Sequence, residues 1–230
     1  LYDAGAKTPD WAKHAVMYQS FPDRFCRVGD KLTPKRGAVF HASWQDDPCY
    51  YKDPDTKEIV AYDFFGGNLR GIESKLPYLK DLGINTIYLN PVFESESNHH
   101  YDTGDYLKID PILGTNDDFK HLVETAKHMG IRIILDGVFS HTGSNSRYFN
   151  RMGQYDTVGA YQSKSSPYYE WYNFRNFPND YESWWNFDTL PDVKETTPSY
   201  MDFIIRNKDS VLHHWLGEGI SGWRRGGIDE

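Results

Sequence analysis

The sequence predicts an α/β fold in which parallel strands alternate with covering helices. Three strand-and-helix units follow one another along the chain, and a further strand comes after the third unit. The stretch 131–135 is almost wholly apolar, which is typical of a strand covered on both faces. The 230 residues are 39% hydrophobic, so the chain can bury a sizeable core. Parallel strands joined by crossover helices explain this pattern.

The first unit begins with the apolar and aromatic run 15–21, which ends at Pro22 and which we interpret as a strand. The helix that follows is predicted to be capped by Asn68 and closed by Gly83. Pro77 inside it predicts a kink or a late start. Its apolar face comprises Ile72, Leu76, Leu79 and Leu82.

The second unit has a buried strand over 86–89, which ends at Asn90. Its helix is predicted to begin at Thr115, because Asp118 three residues later completes a capping pattern, and to end before Gly130. The apolar positions that recur at helical spacing are Phe119, Leu122, Val123, Ala126 and Met129.

The third unit pairs the strand 131–135 with a single helix that starts at Pro198 and ends at Gly217 or Gly219. The apolar face of this helix is predicted to hold Met201, Ile204, Ile205, Leu212 and Trp215. A fourth strand is then predicted over 221–224.

Two architectures fit these elements, an open doubly wound sheet and a (β/α)8 barrel. The Gly66-Gly67 pair lies about 45 residues after the first strand, so no Gly-x-Gly-x-x-Gly phosphate cradle opens the first helix. We therefore predict the first half of a barrel. Barrels carry their functional residues at the C-terminal ends of the strands. That rule selects 18–23, 90–105, 136–141 and the residues from Arg224 onward.

Aromatic residues make up 16% of the chain and crowd into the stretches 40–65 and 148–187. Neither stretch shows a steady helical or strand period, so we interpret both as long ordered loops. Long loops are uncommon unless they are functional, and aromatic faces suit the apolar faces of sugar rings. The enrichment favours a carbohydrate-binding surface, although single rings can equally fill small cores beneath the loops.

The net charge of −8 argues against nucleic acid as a partner, because phosphate binding needs clustered Lys and Arg. No apolar stretch is long enough for a membrane helix, and no signal-peptide pattern opens the chain. Cys26 and Cys49 are compatible with a disulfide or with two free thiols. The compartment is left open, with the cytoplasm preferred over a secreted or periplasmic location, and the oligomeric state is not indicated.

Five motifs occur in order along the chain: MYQSFPDRF at 17–25, FFGGNLRGIESKLPYLKDLGINTIYLNPVF at 64–93, NHHYDTGDYLKIDPILGT at 98–115, DGVFSHTG at 136–143 and GWR at 222–224. Together they resemble glycoside hydrolase family 13, the α-amylase superfamily, in its neopullulanase, cyclomaltodextrinase and maltogenic amylase branch.

The resemblance implies a TIM-type (β/α)8 barrel with an inserted lobe, called domain B, after the third strand. The expected division is 1–143 for strands 1–3 with helices 1 and 2, 144–197 for domain B, and 198–230 for helix 3 and strand 4. The remaining strands would follow residue 230, so we expect the chain to be the N-terminal half of the barrel.

The family's chemistry is retaining hydrolysis of α-glucosidic bonds, which needs a nucleophilic carboxylate and a protonated carboxylic acid. The resemblance assigns to Arg224 the role of the arginine beside the nucleophile, but the nucleophile's own position holds Gly226. Asp229 is the nearest carboxylate and would lie on the opposite face of the strand, roughly 10 Å away. The general acid would lie beyond residue 230, so we expect this chain alone to be inactive.

The resemblance also assigns substrate contacts. Asp136 matches the family's aspartate on strand 3, and His141 matches the histidine that binds the sugar hydroxymethyl group. Tyr101 matches the ring that stacks on the same sugar, with Asp102 ordering its loop. Two further residues expected at the substrate are Tyr18 and Trp185.

Structural explanations stay open beside these assignments. The carboxylate of Asp136 can serve as a strand-end acceptor for backbone N–H groups, and Tyr101 can pack in the core. The adjacent rings of Trp184 and Trp185 can fill the lobe instead of contacting sugar.

No metal site is predicted. His99 and His100 point apart in an extended chain, so these two side chains and Asn98 are interpreted as polar loop groups. Calcium is possible but not favoured, because Asn68 stands where some relatives close a calcium loop with aspartate. Acid and nucleophile chemistry implies no organic cofactor.

The expected function is therefore hydrolysis of an α-glucan, such as a maltooligosaccharide, a cyclodextrin, starch or pullulan, by the full-length protein. One alternative is transglycosylation of the same substrates on the same scaffold. The other is a non-catalytic carbohydrate-binding protein that resembles an amylase, which Gly226 favours.

Overall fold

Four parallel strands form the central sheet of the computed structural model, which describes residues 5, 7–30, 32–55 and 59–226. They are β1 (Met17–Ser20), β2 (Thr86–Leu89), β3 (Arg132–Gly137) and β4 (Gly222–Arg225). The strands lie side by side in chain order, and every neighbouring pair is parallel. The prediction of four strands in one parallel sheet is confirmed, and the reversal of strand order that marks a doubly wound sheet does not occur among them.

The helical segment between β1 and β2 is broken at Lys75 into α1 (Leu69–Ser74) and α2 (Leu76–Asp81). Asn68 caps α1, because its side chain accepts a hydrogen bond from the Gly71 amide at 2.7 Å. Lys75 has φ −100° and ψ 1°, outside the helical region. The predicted kink is confirmed, and its cause is Pro77, which has no N–H to donate to the carbonyl four residues earlier and whose ring would clash with that carbonyl in a continuous helix.

The helix between β2 and β3 is α3 (Asn116–His128). Thr115 and Asp118 form the predicted capping box, in which the Thr115 hydroxyl accepts from the Asp118 amide at 3.0 Å. The Asp118 carboxylate in turn accepts from the Thr115 amide at 2.9 Å. Gly130 has φ +73°, a conformation that glycine adopts without steric cost and that lets the chain turn into β3.

The single helix predicted from Pro198 is wrong, because the structure breaks it into two. A helical turn α4 (Pro198–Met201) runs into a π-helical segment Asp202–Arg206, and a second helix α5 (Val211–Gly217) begins after Ser210. The Ser210 hydroxyl caps α5 by accepting from the His213 amide at 3.4 Å and donates to the Ile205 carbonyl at 3.1 Å. A serine that bonds nearby backbone groups competes with helix continuation, whereas hydrophobic spacing alone does not reveal the break.

The prediction that 40–65 is a loop without regular structure is also wrong. Three short strands, Ala38–Phe40, Tyr50–Lys52 and Ile59–Phe64, form a small accessory sheet there. Ile59–Phe64 is the middle strand of this sheet. Ala38–Phe40 pairs with it in parallel, and Tyr50–Lys52 pairs with it antiparallel. Strands of three residues are too short to show an alternating pattern, so their pairing depends on contacts distant in sequence. A second pair, Phe93–Ser95 with Thr103–Ile109, follows β2.

The segment 144–197 follows the C-terminal end of β3 and contains only short elements. These include 3-10 turns and a two-stranded pair, Phe174–Asn176 with Asp180–Tyr181. Phe149 is fully buried, with its ring centroid 4.9 Å from that of Tyr172 and 4.7 Å from that of Tyr181. These rings fill a local core, which was the alternative left open for the aromatic-rich stretches. No helix among the described residues is long and apolar enough to cross a membrane.

Candidate active site

A cleft of about 820 Å³ opens at the C-terminal ends of the central strands. Its wall includes Tyr101 from the loop after β2, His141 from the loop after β3, and Arg224 on β4. Residues from 33–36 and 184–190 complete its two sides. This volume lies within the range of small-molecule binding sites.

Asp136 lies beneath the cleft near the end of β3, and only 1% of its surface is exposed. The Tyr101 hydroxyl donates to its Oδ2 atom at 3.1 Å. Arg224 is its register partner on β4 and donates from Nη1 to both carboxylate oxygens, at 3.2 and 3.3 Å. The Tyr88 hydroxyl, from β2, also donates to Oδ2. Three side chains, one from β2, one from the loop after β2 and one from β4, therefore converge on one buried carboxylate.

The same contacts determine the protonation states of the three side chains around the Asp136 carboxylate. Burial, reinforced by the Asp136 charge and hydrogen bond, raises the pKa of Tyr88 well above its usual range. The pKa of Tyr101 is raised by burial and by Asp136. Burial opposes the charge of Arg224, yet the attraction of Asp136 raises the pKa of the guanidinium. Both phenols therefore stay protonated donors, and Arg224 stays a cation.

His141 lies beside this group and is 5% exposed. Its Nε2 atom is 3.1 Å from the Tyr101 carbonyl oxygen, which can only accept, so Nε2 carries a proton. Its Nδ1 atom is 3.1 Å from the Ser140 hydroxyl. The ring centroid lies 5.3 Å from that of Trp184, which lines the cleft. The imidazole thus joins the Tyr101 loop to the aromatic side of the cleft.

Asp102 holds the loop that carries Tyr101. Its carboxylate accepts hydrogen bonds from the amides of Glu96 and Ser97, at 3.0 and 3.1 Å, and from the Ser97 hydroxyl. The loop is therefore ordered before any ligand arrives.

A family model described as the α-amylase catalytic domain matches residues 19–229. The chain belongs to the α-amylase family. The relatives include the proteins that the sequence motifs indicated, among them neopullulanase 2 of Thermoactinomyces vulgaris, 35% identical over 94% of this chain and 34% of that protein. The predicted family resemblance is confirmed.

Other relatives of this α-amylase family member differ in length. Amylopullulanase of Thermoanaerobacterium saccharolyticum is 45% identical over 97% of this chain and 20% of that protein. The intracellular maltogenic amylase of Bacillus subtilis strain 168 is 36% identical over 95% of this chain and 34% of that protein. The chain thus spans between about a fifth and a third of these relatives.

Solved structures of similar proteins share the fold of this α-amylase family chain. The cyclic α-maltosyl-(1→6)-maltose hydrolase of Arthrobacter globiformis, in complex with its cyclic sugar, has a TM-score of 0.78 and 31% identity. That match covers 97% of this chain and 46% of the hydrolase chain. Ttha1563 of Thermus thermophilus has a TM-score of 0.77 and 39% identity, over 95% of this chain and 43% of that one.

Two residues that the sequence assigned to substrate lie away from the cleft of this α-amylase family chain. Tyr18 is half-buried on β1, and its ring meets the edge of Phe25 at 5.7 Å. Trp185 is 70% exposed and has φ +49°, which turns its ring outward, where it stacks on Trp184 at 5.0 Å. Trp184 contributes to the cleft wall instead. Side-chain direction, which motif matching does not report, accounts for both differences.

Tyr88 is the site residue that sequence reasoning missed. The run 86–89 was interpreted only as a buried strand, and all four of its residues are buried. A usable signal was present, because a tyrosine within a buried strand needs a hydrogen-bond partner for its hydroxyl. The structure supplies that partner in Asp136.

Gly226 lines the cleft beside Arg224. A Cβ atom at this position would lie 2.8 Å from Arg224 Nη1, so a side chain here requires the guanidinium to shift. The guanidinium is the flexible end of its side chain, and it holds the Asp136 carboxylate in the present arrangement. Asp229, the nearest carboxylate by sequence, lies outside the described residues.

The two adjacent histidines each contact a side chain of their own segment or one that directly follows the next strand. His100 is buried with its Nε2 atom 3.1 Å from Asp110 Oδ2, and the His99 Nδ1 atom is 3.0 Å from the Ser97 hydroxyl. Within the described part of the chain, no group of three or more His, Cys, Asp and Glu residues could hold a metal ion. Cys26 and Cys49 are both free thiols.

Asp110 is expected to make the stability of this α-amylase family chain depend on pH. Burial alone would raise the pKa of its carboxyl, but hydrogen bonds and charge from His100 and Lys35 lower it well below its usual range. A depressed pKa in the folded state contributes stability above the unfolded-state pKa of about 3.9 and loses it as the pH falls toward the folded value. We expect Asp110→Asn to lower the free energy of unfolding most near pH 6. Below about pH 4 that cost is expected to shrink by about 1.4 kcal/mol per pH unit.

Urea unfolding of the unaltered chain and of D110N from pH 6 to pH 2.5 measures this difference. Asp156→Asn removes an exposed carboxylate and serves as the control for the loss of one negative charge. A D110N cost that stays constant over this range contradicts the assignment.

Proposed function

We propose that this chain supplies the first four strands of a (β/α)8 barrel that hydrolyses α-glucans with retention of configuration. The observation that supports it best is the convergence of Tyr88, Tyr101 and Arg224 on the buried Asp136 carboxylate at the C-terminal ends of the strands. Functional residues gather at that end of barrels. The substrate class is proposed from relatives whose names refer to pullulan and to maltose-containing sugars.

The proposal includes the division of the chain. Residues 1–143 contribute strands 1–3 with the first helices, 144–197 form the inserted domain B, and 198–230 contribute the last helical segment and strand 4. Backbone hydrogen bonds from Thr142 to Pro191 and from Ser144 to Thr189, at 3.2 and 2.8 Å, attach the insertion to the end of β3. This attachment is consistent with a lobe that forms one side of the cleft.

The site suits the recognition of a glucosyl unit. The Tyr101 ring lines the cleft and offers an apolar face to a sugar ring, while its hydroxyl is held by Asp136. In neutral His141 the Nδ1 atom is an acceptor, because Nε2 carries the proton. A sugar hydroxyl that displaces Ser140 from Nδ1 therefore donates to His141. Arg224 balances the charge of Asp136 beneath the sugar.

Retaining hydrolysis needs two carboxyl groups, a nucleophile and an acid, about 5–5.5 Å apart on opposite sides of the scissile bond, and Asp136 has neither of these roles. The position two residues after Arg224 has no side chain to provide one. We expect this chain alone to bind maltotriose and to release no reducing sugar from it, because paired catalytic groups act as a unit.

Two measurements test the proposal together. Isothermal titration calorimetry with maltotriose is expected to detect binding, and His141→Ala is expected to weaken it about tenfold, the effect of losing one good hydrogen bond. His128→Ala, on the exposed end of α3, is the matched control and is expected to change nothing. A reducing-sugar assay against a buffer blank tests turnover. Absence of binding contradicts the substrate class, and release of sugar contradicts the role given to Gly226.

A second candidate is a carbohydrate-binding protein without catalysis, which Gly226 favours. The gene that encodes the whole protein separates the two. An encoded glutamate near the fifth strand, with a histidine and an aspartate near the seventh, supports the hydrolase.

A further inference from the structure

Three polar side chains form a hydrogen-bonded group on the wall of the cleft. Asn145 donates from Nδ2 to Glu96 Oε2 at 2.7 Å, and Gln154 donates from Nε2 to Glu96 Oε1 at 3.1 Å. All three residues line the cleft, and we call them the Glu96 cluster. Each oxygen of the Glu96 carboxylate thus accepts a hydrogen bond from a side-chain amide, and the two amides come from different segments of the chain.

The backbone also holds the Glu96 cluster in place. The Glu96 amide donates to Asp102 Oδ2 at 3.0 Å, which ties it to the loop that presents Tyr101. The Met152 amide donates to Asn145 Oδ1 at 3.1 Å, which orients the carboxamide toward Glu96. Glu96 and Gln154 are nevertheless exposed.

Stability does not account for this order. Fixing a long exposed side chain costs rotamer entropy, and Glu and Gln are among the side chains that lose most. Exposed polar pairs offset little of that cost, because water competes for the same groups. An ordered carboxylate on a cleft wall is, in contrast, useful for binding, since the entropy is lost before the ligand arrives.

Aromatic rings share the cleft with the Glu96 cluster. Trp184 and Phe187 both line it, with ring centroids 6.4 Å apart. The Ser144 amide donates to the Thr189 carbonyl at 2.8 Å, so the residue before Asn145 lies beside the segment that carries these rings. The cleft therefore offers hydrogen-bond acceptors and apolar ring faces to the same ligand.

We infer that the Glu96 cluster is a subsite for a further glucosyl unit, distinct from the one at Tyr101 and His141. The inference rests on the proposed function and adds a second position along the glucan chain. Each Glu96 oxygen keeps a lone pair after accepting its amide, so the carboxylate accepts from two neighbouring sugar hydroxyls. The apolar face of that sugar contacts Trp184 or Phe187. An α-glucan is uncharged, so the net charge of −8 does not oppose it.

The test compares a short and a long glucan on the whole chain by isothermal titration calorimetry. We expect Glu96→Ala to weaken maltohexaose binding about tenfold, because a charged acceptor of two hydrogen bonds is lost. Maltose fills fewer positions, so its affinity is expected to change less than about twofold in the same variant. Glu96→Gln keeps the shape of the side chain but only one acceptor oxygen. Its affinity for maltohexaose is expected to lie between those of the unaltered chain and of E96A. Glu124→Ala removes an exposed carboxylate from α3, away from the cleft, and is the matched control.

The outcomes separate this subsite from the proposed function. Unchanged maltohexaose binding in E96A, with the unfolding midpoint preserved, overturns the subsite alone. An equal loss for both sugars also overturns it, because Glu96 would then act in the first position. If the unaltered chain binds neither sugar, the proposed function fails and the subsite fails with it.

Discussion

Replacing Asp136 by alanine is expected to destabilise the chain by about 2–4 kcal/mol and to abolish measurable maltotriose binding. The stability loss arises mainly at Tyr88, which is 8% exposed and would bury a hydroxyl without its present acceptor. Arg224 contributes less, because its side chain is 47% exposed and water can solvate the freed guanidinium. Binding is lost because Tyr101 and Arg224 both depend on this carboxylate for their positions.

A double-mutant cycle assigns the stability loss to the contact. Tyr88→Phe removes only the hydroxyl, and D136A in the Y88F background is expected to cost less than D136A alone by about 1–2 kcal/mol. Urea unfolding at pH 7 gives the four free energies. Additive costs in the cycle contradict a direct interaction between Tyr88 and Asp136. Full-strength maltotriose binding by a folded D136A variant contradicts the role of Asp136 in ordering the site.

Replacing Trp215 by alanine is expected to destabilise the chain by about 3–5 kcal/mol, the usual cost of truncating a fully buried large aromatic side chain. Trp215 lies on α5 with no exposed surface. Its ring centroid is 5.2 Å from that of Phe93 and 5.1 Å from that of Phe119, so it packs against the segment after β2 and against α3. Its indole N–H donates to the Tyr106 carbonyl at 2.8 Å, and truncation leaves that buried acceptor unpaired.

Trp185→Ala is the matched control for this variant, because it removes the same side chain from a position that is 70% exposed. Its expected cost is about 0.5 kcal/mol or less. Urea denaturation followed by circular dichroism measures both variants. A loss below about 1 kcal/mol in W215A contradicts the central position given to α5 in the core.

Local signals in the sequence predicted the regular elements well. The capping box at Thr115, the cap at Asn68 and the proline kink before α2 all depend on residues within four positions of one another. The parallel sheet in chain order followed from the alternation of strands with helices, and the family followed from five motifs in order. None of these predictions required knowledge of a contact between distant residues.

Predictions that depended on side-chain hydrogen bonds, on very short strands or on side-chain direction were less successful. The break before α5 is produced by a serine that bonds backbone on both sides, while the apolar spacing continues across it. The accessory sheet joins two strands of only three residues with one of six, and the paired residues are between 7 (Lys52 with Ile59) and 24 (Phe40 with Phe64) positions apart in the sequence. In the candidate site, motif matching selected Trp185, whereas its left-handed backbone conformation turns the ring out and leaves Trp184 on the cleft wall.

The sequence by itself determined the family, the order of strands and helices, and the residue types available at the strand ends. Only the tertiary structure decided which of those residues meet. Arg224 and Asp136 are register partners on neighbouring strands, and Tyr88 reaches the same carboxylate from β2. A slip of one residue in either strand would turn these side chains to the opposite face of the sheet. Because register is set by packing of the whole sheet against its helices, no motif of the chain specifies that convergence alone.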